Sequence, residues 1–118
     1  MKSITLNKKK IVELNIGGIE CIATLDTLAI NHFQITNNIG LLKAMKKMKN
    51  KDLNIIYKLL CSLIREKESN KILGYEFFKD YDDLDVIEQL MPVIDEIFPD
   101  NLPEAKKKRR NQGRDRRN

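Results

Sequence analysis

The chain has 118 residues, 22 Lys+Arg against 17 Asp+Glu, a formal net charge of +5, two cysteines and no tryptophan. That length supports one domain whose single core buries roughly two-thirds of the unfolded surface, with little room for a deep enclosed pocket. No apolar run approaches the roughly 20 residues of a membrane span, MKSITLNKKK lacks a secretory h-region, and Cys21 and Cys61 stand apart from any CxxC or paired histidine, so a cytoplasmic protein with reduced core cysteines is expected.

Residues 1–10 are polar and lysine-rich, with a frayed start expected. Ile11–Ile16 and Ile19–Thr24 then flank Gly17-Gly18, a two-residue turn suited to the positive φ angles of a tight hairpin. Pairing across it sets Ile16 opposite Ile19, Leu14 opposite Cys21 and Val12 opposite Ala23, with all six on one face and Glu13, Asn15 and Glu20 on the other. An isolated hairpin is marginal in water, so helices must cover the apolar face. Asp26 is suited to cap a short helix from Thr27 to about Ile35 that buries Leu28, Ala29 and Phe33. His32, near the edge of that face, has no catalytic companion in sequence and is read as structural.

Asn37-Asn38 marks a turn, after which Ile39–Met48 is amphipathic, with Leu41, Leu42, Met45 and Met48 as its stripe. Lys43, Lys46, Lys47 and Lys49 line the other side, as a solvated face or as a docking face for an acidic partner helix. Asn50 or Asp52 caps the next helix, Leu53 to about Arg65, with Leu53, Ile56, Tyr57, Leu60, Cys61 and Ile64 inward; it is the candidate for the central buried helix. A polar connection over Lys67–Lys71 leads to Gly74 and a short aromatic segment with Phe77, Phe78 and Tyr81.

The last helical stretch begins at Asp82 or Asp83 and runs to Pro99 and Pro103. Leu84, Ile87, Leu90, Met91, Ile94, Ile97 and Phe98 fall on one side, and Asp85, Glu88, Gln89, Asp95 and Glu96 on the other. Pro92 interrupts the stripe without changing its phase, which predicts a kinked helix or two helices meeting there. The DYDDLD cluster does not make an EF-hand loop. Counting from Asp80, the fifth, sixth and twelfth positions hold Leu84, Asp85 and Met91 instead of an oxygen ligand, glycine and glutamate.

From Lys106 onward eight basic residues face Asp115 alone, which leaves residues 1–105 at a net −2. Lys106, Lys107, Lys108, Arg109 and Arg110 open a run that fits a weak, salt-sensitive nucleic-acid arm or a solubilising end. The run has no aromatic for base stacking. These elements predict an α+β fold. An N-terminal β-hairpin packs on a helical domain of four to five helices within residues 1–104, and 105–118 form a disordered basic tail. Nothing in the residues calls for catalysis, a cofactor or a metal, and an enzyme is not expected.

The order of pieces resembles a known family. A leading hairpin, a small helix after TLDTLA, helices through LLKAMKKM and LNIIYKLLCSLI, and GYEFFKDYDDLDVIEQLMPVIDEIFPDNLPEAKKK are similar to the tail assembly chaperones of long-tailed bacteriophages and prophage-like tail particles. The resemblance covers most of residues 10–108 and rests on element order, length and the acidic helix with its basic close. It implies a non-enzymatic helper that coats the tape measure protein, recruits tail-tube subunits and is absent from the finished particle. It also implies two product lengths, with ribosomal slippage at adenine-rich codons for Lys106–Lys108. The expected contacts are Lys43, Lys46 and Lys47 on one helix and Asp85, Glu88 and Asp95 on another, either for the tape measure protein or for self-association. The rival expectations are a small nucleic-acid-binding regulator that uses the tail, and a structural neck or completion protein of the same tail.

Overall fold

A computed structural model describes residues 1–98. Among them the chain runs β1 (Val12–Ile16), β2 (Ile19–Ala23), α1 (Thr27–Asn37), α2 (Leu41–Lys49), α3 (Leu53–Leu63), β3 (Ile64–Glu66), α4 (Gly74–Phe78) and α5 (Asp83–Ile97). This is the expected α+β architecture, with one strand more than the hairpin alone. The helix stops Pro99 and Pro103 and the basic run from Lys106 to Arg110 lie outside the described residues.

The hairpin has the register that its alternation dictates: Val12 faces Ala23, Leu14 faces Cys21 and Ile16 faces Ile19. Gly17 and Gly18 take φ of 59° and 88°, a left-handed pair that matches the twist of the strands and that side chains with a Cβ rarely adopt. Asn15 Oδ1 accepts from Gly18 N at 3.0 Å and closes the turn. Beyond the hairpin, β3 pairs antiparallel with β2, setting Cys21 against Glu66 and Ala23 against Ile64. The order β1-β2-β3 leaves β1 at an open edge, while the Arg65–Ile72 bridge lies along the far side of β3.

Helix α3 is the centre of the fold and packs against α1, α2, α4, α5 and β3. Asp52 caps it, accepting from Ile55 N at 3.2 Å. Its buried residues include Ile55, Ile56, Leu59, Leu60, Cys61, Ser62 and Leu63. The expected end near Arg65 is corrected: the helix stops at Leu63, and Ile64 and Arg65 belong to β3 because their backbone pairs with β2. Helix α1 reaches Asn37 rather than Ile35, and Asn38 ends it in the left-handed conformation at φ 53°. Helix α2 starts at Leu41, two residues later than its apolar pattern predicts.

Asp82 caps α5, accepting from Leu84 N at 2.9 Å and Asp85 N at 3.4 Å. Pro92 sits inside one continuous helix, and the two-helix alternative is corrected. Both Pro92 and Glu88, whose carbonyl loses its usual donor, are on the exposed side, where water replaces the missing bond. The buried face of α5 is Val86, Ile87, Leu90, Val93, Ile94 and Ile97. It is rotated from the expected one: Val86 and Val93 turn in, Met91 is half-buried, and Leu84 is 63% exposed. Leu28, Leu42 and Leu53 are likewise exposed instead of inward.

Candidate partner-binding site

Among the described residues the buried polar side chains are Thr24, Ser62 and Arg65. Arg65, 3% exposed, reaches Asp26 across the sheet–helix boundary and forms an ion pair with it. Asp26 also caps α1 by accepting from Ala29 N at 3.0 Å, and it receives Lys9 Nζ at 3.4 Å. Burial alone would raise the Asp26 carboxyl. The hydrogen bonds from Arg65 and Ala29, with the Arg65 charge, outweigh that and hold it down at about 2. His32 Nδ1 and Ser62 Oγ lie 2.9 Å apart and tie α1 to α3. Ser62 is 1% exposed, and its hydroxyl donates to the Lys58 carbonyl at 3.4 Å. Both cysteines are buried free thiols, and burial pushes Cys61 up to about 11, far from a reactive thiolate. Among the described residues no group of three or more His, Cys, Asp or Glu could hold a metal ion, and no helix is long and apolar enough to cross a membrane.

Two concave regions of the described surface offer apolar or aromatic floors. The first, about 480 Å³, is formed where α3, α4 and the start of α5 meet, and is lined by Tyr57, Tyr75, Tyr81, Asp80, Asp82, Asp83 and Lys79, whose ammonium pairs with Glu76 at 2.8 Å and leaves the three aspartates as the excess charge. Tyr57 and Tyr75 meet edge to face, with centroids 6.3 Å apart, and Phe77 supports Tyr81 at 5.8 Å. Burial, with the neighbouring Cys61 thiol and Asp83 carboxylate, pushes the Tyr57 hydroxyl up to about 12, so it stays protonated and available as a donor. Tyr75 and Tyr81 are both exposed in this hollow. An aromatic floor under three carboxylates suits an amphipathic segment with basic side chains, which gains apolar contact, cation–π contact and charge complementarity together.

The second region, about 390 Å³, is a groove between β1 and α5. Leu14, Ile16, Phe78, Val86 and Leu90 form its apolar floor, with Asp85 and Gln89 on the flank of α5. The Tyr81 hydroxyl closes one end against the hairpin turn: a Cβ on Gly17 would stand 2.7 Å from it.

The six residues expected to contact a partner fall on two separate elements. Lys43, Lys46 and Lys47 are on α2, which packs on α1 and α3. Asp85, Glu88 and Asp95 are on α5, which packs on α3 and β1. All are exposed except half-buried Lys47. None of the ion pairs among the described residues joins the two sets. Only Asp85 belongs to one of the concave regions. The tyrosines of the hollow were not predicted as contacts. The one hint in sequence is their spacing, with Tyr75 and Tyr81 on either side of the buried Phe78. Comparison with known proteins finds no family model, no curated protein and no solved structure that matches the chain.

Proposed function

We propose that this protein is a non-enzymatic assembly chaperone for a long phage-type tail, which holds helical segments of the tape measure protein and helps bring tail-tube subunits to them. The observation that carries the reading is the hollow of Tyr57, Tyr75 and Tyr81 rimmed by Asp80, Asp82, Asp83 and the Glu76-paired Lys79, an aromatic surface with Tyr75 and Tyr81 exposed and a net acidic rim. An amphipathic helix with basic positions would lay its apolar stripe on the tyrosines and its cations on the aspartates. The resemblance in element order names which helix that would be, and the opposite charge of the α2 lysines offers a second contact for acidic partners. In this reading the protein works in the host cytoplasm during assembly and is left out of the finished particle.

Co-expression pull-down with a tape measure protein of a long phage-type tail tests the proposal. Tyr75→Ala with Asp83→Lys should lower recovery at least about tenfold, since an aromatic anchor and a rim charge are removed together. Lys46→Glu with Lys47→Glu should have a smaller, salt-dependent effect. Recovery equal to the unmodified protein for both pairs would overturn the reading.

A further inference from the structure

The N-terminal arm, residues 1–10, carries no secondary structure and is exposed throughout. Ile4 is 76% and Leu6 84% exposed, and they alternate with Ser3, Thr5 and Asn7. That is the period of a strand with one apolar face, presented without anything to cover it. The arm is held only near its root: Lys9 Nζ pairs with Asp26 at 3.4 Å, and Thr24 Oγ1 donates to the Lys10 carbonyl at 3.0 Å. Both tethers lie beside the start of α1, at the Val12 end of β1.

The same molecule leaves a strand site empty. In a two-residue hairpin the closing pair Ile16–Ile19 exchanges backbone bonds, as do Leu14–Cys21 and Val12–Ala23, so the N–H and C=O groups of Glu13 and Asn15 point away from β2. No described segment pairs with that edge. Beside it lies the groove floored by Leu14, Ile16, Phe78, Val86 and Leu90. An added strand would therefore find backbone partners and an apolar floor on the same side, the two requirements of strand addition. The arm also has the right charge. Lys2, Lys8, Lys9 and Lys10 face no acid within the arm, and the groove is flanked by Asp85.

We propose that the arm of one copy adds as a strand to the free edge of β1 in a second copy, with Ile4 and Leu6 seated in the β1–α5 groove. The tethers favour exchange over self-docking. To reach its own groove the arm would have to reverse direction at Lys8–Lys9, where Asp26 pins it, and then run the length of β1 toward Gly17. A second copy meets it without that reversal. The contact is small, one short strand against one groove, so it forms and breaks with concentration and does not lock the chains permanently.

Sedimentation of the full chain over a dilution series up to millimolar concentration tests the exchange. A concentration-dependent rise in mass is expected. Ile4→Asp with Leu6→Asp, changes at exposed positions, should move the midpoint at least about tenfold toward monomer, and the single groove-flank variant Asp85→Lys should do the same. Mixing the arm variant with the flank variant should restore heavier species, because one intact arm can meet one intact groove. A peptide of residues 1–10 titrated into the arm variant should shift the amide signals of Glu13, Asn15 and Tyr81. A chain that stays monomeric throughout, or association untouched by the arm variant, would overturn the proposal. So would a monomeric chain whose groove accepts the peptide only after the arm is altered, since the arm would then be docked on its own molecule.

Discussion

The two edges of the small sheet make opposite choices. On the β3 side everything is sealed: Cys21, Ala23, Leu63 and Ile64 are buried, and Arg65 is covered and neutralised by Asp26. On the β1 side Val12, Leu14 and Ile16 are only half-buried, Ile19 is exposed, and a groove separates the strand from α5. β1 reads VELNI and β3 only IRE, so the sealed edge is the less apolar of the two and hydrophobicity does not account for the difference. The difference lies in the segment joined to the N-terminal end of each strand. β3 emerges directly from the central helix and packs against it, whereas β1 is preceded by an exposed arm tethered only at its root. The open edge keeps unpaired backbone groups that another strand can join, which the sealed edge does not.

The contrast is broken most severely at the sealed edge. Arg65→Leu should cost about 2–3 kcal/mol in urea unfolding, because the half-buried Asp26 carboxylate loses its guanidinium and keeps only Ala29 N and Lys9. A loss below about 1 kcal/mol would show that water reaches Asp26 and that this edge is not sealed. The same pair predicts the acid response. Asp26 titrates at about 2 in the folded chain against an ordinary value of 3.8, so its contribution is complete above about pH 4 and is lost as the pH falls toward 2. That contribution is about 2 kcal/mol at neutral pH, and Asp26→Asn should flatten this part of the stability–pH curve. At the open edge the penalties shrink. Leu14→Asp should cost about 1–2 kcal/mol, since the new charge can turn toward water in the groove, although Asp85 repels it. The smallest effect belongs to Leu84→Ser, within about 0.5 kcal/mol by thermal unfolding, because that side chain is already in solvent. A large loss there would mean that Leu84 is covered in solution, by a partner or a second copy.

Local chemistry was readable from the residues and non-local chemistry was not. The hairpin register followed from Gly17-Gly18 and the alternation on either side, and the cap Asp26 from its position before an apolar-periodic run, while Asp52 and Asp82 were each one of two neighbouring candidates, with Asn50 and Asp83. Ile64-Arg65-Glu66 reads equally well as the last turn of a helix. It becomes a strand only because Cys21–Ala23, far away in sequence, offer it a backbone to pair with. Burial of Arg65 had no local signal at all, since arginine is ordinarily exposed and its partner Asp26 already had a task as a cap. The four leucines expected inward and found exposed share a position: Leu28, Leu42, Leu53 and Leu84 each occupy the first turn of their helix. Periodicity reports the direction in which a side chain points, but not whether the core extends that far along the axis. Of the contact surface, the charged residues were visible as charge, while the tyrosine hollow and the β1–α5 groove arise from helices meeting and could not be read from any one stretch.

The direct passage from α3 into β3 at Leu63–Ile64 also fixes the order in which the molecule can assemble. The hairpin is local and can form within about 1–10 μs unaided. Its third strand, however, cannot arrive without the helix to which it is joined. Completing the sheet and seating the central helix are therefore a single cooperative step, which must close the loop carrying α1 and α2. Amide exchange should record this as a division in time. Ile22 and Thr24, on the side of β2 facing β3, open only with the whole molecule, and Thr24 N bonds the Leu63 carbonyl at 3.2 Å. Glu13 and Asn15, across the same narrow sheet, exchange as though the protein there were still unfinished.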